Sequence, residues 1–196
     1  MTASVSNPVV ALENVAKRFG EREVFSDFSV ALAPGDVLGV TGPNGSGKTT
    51  LARLLLGLET ADAGVARRVD GARCAAVFQE DRLCMHLSAV ANVRLVVGRH
   101  GGAEQELRAV GIVEEDLHRP VRELSGGQRR RVAIARALAV GADFVVLDEP
   151  LTGIDVDSQA GLIEHIRERL GNAAALVITH EPAALALANR SLSLPA

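Results

Sequence analysis

Residues 42–49 read GPNGSGKT, and this octapeptide constrains the fold more than anything else in the 196-residue chain. It satisfies G-x-x-x-x-G-K-[ST] at every fixed position, between the apolar strand Val37–Val40 and a stretch of good helix formers. Its glycines tolerate positive φ and carry no Cβ, so backbone N–H groups can turn inward around phosphate oxygens. The helix that follows adds its dipole and free N–H groups at the anion. Gly42, Asn44, Gly45, Ser46 and Gly47 form the cradle in this reading, and Lys48 reaches the β- and γ-phosphates. Thr49 offers a hydroxyl to Mg2+, and Thr50 one to the α-phosphate. A glycine-bearing turn can match by chance, but the strand before it and the helix after it argue against that here.

Strand-helix alternation around this loop predicts an α/β fold with a mixed, mainly parallel sheet. Strands are expected at Val9–Val15, Val24–Leu32, Asp36–Thr41, Val65–Val69, Cys74–Phe78, Phe144–Leu147, Ala174–Ile178 and Ser191–Leu194, the first ones forming an antiparallel part. Helices are expected at Lys48–Leu58, Val156–Leu170 and Pro182–Ala188, with helical periodicity through 88–140. The organisation expected is one domain over 1–196: a nucleotide-binding core of 1–79 and 141–196, with an inserted helical subdomain at 80–140.

FVVLDEP, at 144–150, places two carboxylates at the C-terminal end of an apolar strand, where open α/β sheets bind ligands. Alone, such a pair is most often a solvated strand end. Beside a phosphate loop, Asp148 becomes the partner of the Mg2+ shell and Glu149 the base that polarises the attacking water.

Composition excludes other classes. The chain is 47% hydrophobic and 23% charged, which suits a packed protein rather than a disordered one. No apolar run reaches the length of a membrane span, and Met1–Pro8 lacks the pattern of a secretory leader. Cys74 and Cys84 are the only cysteines, as expected in a reducing cytoplasm. A net charge of −3 argues against a protein that coats nucleic acid. Only Lys17 and Lys48 are lysines among 21 basic residues, so each ammonium is of interest.

Residues 124–128 read LSGGQ, 20 positions before Asp148. With this pentapeptide the chain resembles the ABC (ATP-binding cassette) ATPase family, over nearly its whole length. The resemblance implies that Ser125, Gly126, Gly127 and Gln128 form a second anion-binding surface, which caps the γ-phosphate of ATP bound by another monomer. It implies further that Gln79 contacts Mg2+ and the water, that Asp155 in LTGID crosses the dimer interface, and that His180 bonds the γ-phosphate. Phe19, in KRFG, matches the position that stacks on adenine, with Phe where Tyr is frequent. The bland alternatives are a turn residue for Gln79, a helix N-cap for Asp155, a structural His180 and a packed strand-end Phe19.

The family's workings imply two chains, a homodimer or a heterodimer, sandwiching two ATP molecules. They also imply an integral membrane transporter subunit, with the cassette peripheral on the inner face of the cell membrane. Leu83, Met85 and Leu87 are expected to supply the apolar docking groove for that subunit. VFQEDRL, followed by a leucine and ANV, resembles importer ATPases of the nitrate, sulfonate and taurine group. The competing class, an ABC ATPase acting on DNA or ribosomes, fits less well. Only 75 residues separate Lys48 from Glu123, too few for long coiled coils, and there is one cassette. Arg129–Arg131 reads as a basic helix face beside the triphosphate rather than a nucleic-acid contact.

Overall fold

The computed structural model describes residues 7–99 and 101–195; the leader reading at Met1–Pro8 and the last residue, Ala196, fall wholly or partly outside them. The strands form two sheets. β1 (Val10–Phe19), β2 (Arg22–Leu32) and β4 (Ala63–Arg68) make an antiparallel sheet in the order β2-β1-β4. β3 (Val37–Thr41), β5 (Cys74–Val77), β6 (Phe144–Asp148), β7 (Ala174–Ile178) and β8 (Arg190–Ser193) make a parallel sheet in the order β5-β6-β7-β3-β8. Among the described residues six helices accompany them: α1 (Lys48–Leu55), α2 (Ala89–Val97), α3 (Ala103–Ala109), α4 (Gly126–Leu138), α5 (Val156–Leu170) and α6 (Pro182–Leu185).

β6 and β7 are buried at every position, because helices or a second sheet cover both faces. The strand period of two then divides their side chains between two cores. Val145, Leu147, Ala175 and Val177 face a core filled from α2, α3, α4 and α5. Phe144, Val146, Leu176 and Ile178 face a core shared with α1 and the antiparallel sheet. The α/β class expected from sequence is what forms.

Several boundaries differ from the sequence reading. β1 runs on through KRF and pairs Phe19 with Arg22, so Phe19 sits at the tip of a hairpin. α1 stops at Leu55 rather than Leu58, because Gly57 adopts φ 69° and closes the helix. The three helical segments read within 88–140, LSAVANVRLVV, GAEQELRAV and SGGQRRRVAIARALAV, form as α2, α3 and α4. After α3 the chain passes through two 3-10 turns, Glu114–Asp116 and Val121–Glu123, before Ser125 caps α4.

Leu176, fully buried in β7, tests the two-layer packing. Leu176→Ala is expected to cost about 3 kcal/mol in urea unfolding followed by circular dichroism. A loss below about 1 kcal/mol would mean that β7 is not clamped between two cores.

Candidate functional site

The parallel strands end in register: Val40 of β3 and Asp148 of β6 both lie opposite Ile178 of β7. Whatever follows these strands therefore emerges along one edge of the sheet. There, a cleft of about 510 Å³ is lined by Phe19, Asn44, Gly45, Gly47, Lys48, Thr49, Thr50, Gln79, Asp148, Glu149 and His180, all expected from sequence. Arg22 and Val24, from the start of β2, complete the wall.

The phosphate loop needs its glycines for two reasons. Gly42, Gly45 and Gly47 have φ of 144°, 84° and 99°. A Cβ on Gly42 would lie 2.6 Å from the Leu194 carbonyl oxygen, and one on Gly47 2.6 Å from Val24 Cγ1. Lys48 Nζ donates to the Gly42 and Pro43 carbonyls at 2.5 and 2.9 Å, which holds its charge over the loop. Ser46 Oγ is buried without a hydrogen-bond partner among the described residues. Arg22 Nη2 donates to Gly45 O at 2.5 Å, tying the hairpin to the loop.

Burial pushes the Asp148 carboxyl above the usual aspartate range; the neighbouring Glu149 adds to this, while Arg130 and Lys48 oppose it. Glu149 follows at φ 49°, an unfavourable backbone for a residue with a side chain. Its N–H donates to Ile178 O at 2.7 Å, and its carboxylate accepts from Thr179 Oγ1 at 2.9 Å. The two acids are thereby turned apart. The hydroxyl of Thr49, the amide oxygen of Gln79 and the carboxylate of Asp148 form an all-oxygen donor set in one cleft, which fits a small hard cation.

Phe19 is 48% exposed and lines the cleft. Lys17 Nζ lies over its ring, 5.0 Å from the centroid, and is itself anchored by Glu59 at 2.9 Å and the Thr60 carbonyl at 2.8 Å. The other lysine of the chain therefore steadies the aromatic.

Ser125–Gln128 do not line this cleft. They form the N-terminus of α4, with a reciprocal cap: Ser125 Oγ accepts from Gln128 N at 3.2 Å, and Gln128 Oε1 accepts from Ser125 N at 2.8 Å. Gln128 Nε2 donates to Asp116 Oδ2 at 2.5 Å, so both ends of this amide shape the turn. A Cβ on Gly127 would lie 2.5 Å from Gly153 O, because the turn packs against the LTGID segment. Ser125 and Gly126 stay exposed. Asp155 caps α5 through Ser158 N at 3.0 Å; hydrogen bonding by the Ser158 side chain first, and then by its backbone N–H and the charge of Arg131, holds the Asp155 carboxyl below the usual range.

The basic face expected at Arg129–Arg131 does not form. Arg129 donates to Leu124 O, Arg131 to Val110 O, and Arg130 is buried against the carbonyls of Asp148 and Glu149. Each guanidinium is thus turned to backbone carbonyls of the chain rather than to solvent. Leu83 packs against the core, while Met85 and Leu87 are exposed, so the three do not form one face. Sequence reasoning missed Lys17 as a ring support, and also Arg22, Thr179 and Arg130. Arg130 was detectable: with Ile134 and Leu138 it repeats at four-residue spacing on the buried face of α4.

A phosphate loop on one parallel strand, with an acid pair two strands away, is the layout of a P-loop nucleoside triphosphatase. The helical block between β5 and β6, ending in a capped glycine turn, narrows this class to an ATP-binding cassette. The family model described as ABC transporter matches residues 25–152, more than half of the chain, which belongs to that family and is an ATPase. The dimeric structure of MJ0796, a bacterial ABC transporter cassette, matches with a TM-score of 0.84 at 23% identity, over 95% of this chain and 94% of that one. A dimeric post-hydrolysis structure of the ATP-binding cassette MJ0796, bound to ADP and Pi, matches with a TM-score of 0.84 at 25% identity, over 94% of each chain.

Gly47→Ala tests the cradle. It is expected to weaken ATP binding in calorimetry by about tenfold or more, the equivalent of one residue forced into left-handed backbone. Gly141→Ala, also at positive φ with nothing within 4 Å of its Cβ but outside the cleft, should leave affinity close to wild type.

Proposed function

We propose that this ATPase works as a two-chain sandwich, coupling ATP binding and hydrolysis to solute movement through a separate membrane subunit. The observation that carries the reading is that Ser125–Gln128, capped and partly exposed at the start of α4, are not among the residues lining the phosphate cleft of their own chain. A second copy, or a close relative, can bring its Ser125 to that phosphate. The dimeric cassette structures that match this chain support the arrangement.

Adenine stacks on Phe19, and the phosphates take Gly42, Asn44, Gly45, Ser46, Gly47, Lys48, Thr49 and Thr50. Ser125, Gly126 and Gly127 of the opposite chain meet the γ-phosphate, and Asp155 faces the other subunit. Thr49, Asp148 and Gln79 would hold Mg2+, which supplies charge neutralisation at the phosphates when bound. Glu149 accepts a proton from water as its oxygen bonds to the γ-phosphorus. The bond from that phosphorus to the bridging oxygen breaks, leaving ADP and inorganic phosphate. His180 steadies the γ-phosphate. Closure requires that phosphate, so hydrolysis reopens the pair.

The core comprises 1–79 and 141–196, and 80–140 moves as the helical lobe. Among the described residues no helix is long and apolar enough to cross a membrane, so transport needs a partner that does. The exposed side of α2 supports such a partner. Leu87, Ala91 and Leu95 line an open hollow of about 570 Å³, rimmed by Arg94, Arg99 and His118. Import is the direction favoured, on the resemblance of the segment after Gln79, and the cassette then sits on the cytoplasmic face of the membrane.

Glu149→Gln should accumulate as an ATP-bound dimer in light scattering, with hydrolysis reduced about a hundredfold or more. A monomer in saturating ATP would sink the sandwich. Tagged Glu149→Gln captured from solubilised native membranes with ATP should retain one integral membrane protein in stoichiometric amount, and Leu87→Glu should release it. Ribosomal or DNA-repair proteins in its place would establish the competing class.

A further inference from the structure

Arg130 leaves the second turn of α4 and ends among the backbone groups that carry the hydrolytic residues. It is 3% exposed. Its Nη1 donates to the Phe78 carbonyl at 2.5 Å and to Asp81 Oδ1 at 3.0 Å. Its Nη2 donates to the carbonyls of Asp148 and of Glu149, the latter at 2.7 Å. Nε is buried and without a partner among the described residues. Phe78 immediately precedes Gln79, so one guanidinium holds both segments that deliver the amide and the two acids.

Burying a cation is costly unless it is well paired, and an apolar side chain would fill the same space without that cost. The fork geometry of guanidinium, which reaches several oxygens in one plane, is what an apolar residue cannot supply. The strained backbone of Glu149 has four restraints: Ile178 O on its N–H, Thr179 on its carboxylate, and the Thr152 N–H and Arg130 on its carbonyl. Only Arg130 comes from the helix whose N-terminus presents Ser125 and Gly126.

We infer that Arg130 is a positioning residue that couples the two nucleotide sites of the dimer. This rests on the sandwich reading above. In that arrangement the N-terminus of α4 contacts the nucleotide held by the opposite chain. A shift of α4 on that contact is carried through Arg130 to Gln79, Asp148 and Glu149, which serve the chain's own nucleotide. Hydrolysis at one site then depends on occupancy of the other.

The test is the ATP dependence of steady-state hydrolysis by the purified cassette, with fluorescent nucleotide binding and melting temperature measured alongside. Wild type should be sigmoidal, with a Hill coefficient of about 1.5 or higher. Arg130→Lys should keep nucleotide affinity within about threefold, lose about tenfold in kcat and become hyperbolic, since Arg130 holds the segments of Gln79, Asp148 and Glu149 without touching nucleotide itself. Wild-type kcat and sigmoidicity in Arg130→Lys would overturn the inference, as would a lower melting temperature with the Hill coefficient unchanged. If Arg130→Lys does not fold, Asp81→Asn serves instead, with the same loss of sigmoidicity expected and its retention counting against the coupling. A hyperbolic wild type whose Glu149→Gln variant still dimerises with ATP removes the coupling alone. A monomeric Glu149→Gln removes the sandwich beneath it.

Discussion

The structure depends on the burial of β6 and β7 on both faces. A strand covered on both sides can carry no polar side chain until it ends, so the chemistry of this chain is concentrated beyond the last apolar residue of each strand. Because β3, β6 and β7 pair in register, those ends coincide. The phosphate loop, the acid pair and Thr179–His180 become neighbours without any contact between their sequences. The same burial makes Asp148 a reluctant anion, held at the end of an apolar strand with Glu149 beside it. Such a group gains most from a cation, which fits its place in the oxygen donor set.

Around this edge, cations from separate elements do different work. Lys48 stays over the loop that it belongs to. Lys17 stands over the Phe19 ring and is fixed by carboxylates of the segment before β4. Arg22 binds the loop from the hairpin, and Arg130 binds the acid segment from α4. Chain segments far apart in sequence are thus fastened to one another mainly through carbonyl oxygens, which a guanidinium or ammonium satisfies several at a time.

The four residues of the LSGGQ turn that were read together as an anion surface divide by environment. Ser125 and Gly126 stay open to solvent, Gly127 is pressed against Gly153, and the Gln128 amide is engaged by Ser125 and Asp116. A rigid, capped helix end is the result, and rigidity is what lets such a turn present its N–H groups to an anion. Arg129–Arg131 shows the opposite case. Three consecutive like charges suggest a solvated face, yet the helix period sends them in three directions.

The sequence alone determined the α/β class, the phosphate loop, the acid pair and the strand order along the chain. These follow from local periodicity and from motifs whose chemistry is contained within eight residues or fewer. It also determined that Phe19, Gln79 and His180 belonged with them, through resemblance rather than through spacing. Only the tertiary structure decided that Phe19 sits at a hairpin tip with Lys17 over its ring, that Leu83 packs against the core, and that Arg130 reaches the backbone carbonyls of the two acids. Those outcomes depend on which carbonyls and apolar surfaces the remote parts of the chain leave unsatisfied. A pattern of residues within one helix or strand does not contain that information, because it is a property of the neighbours that folding brings to it.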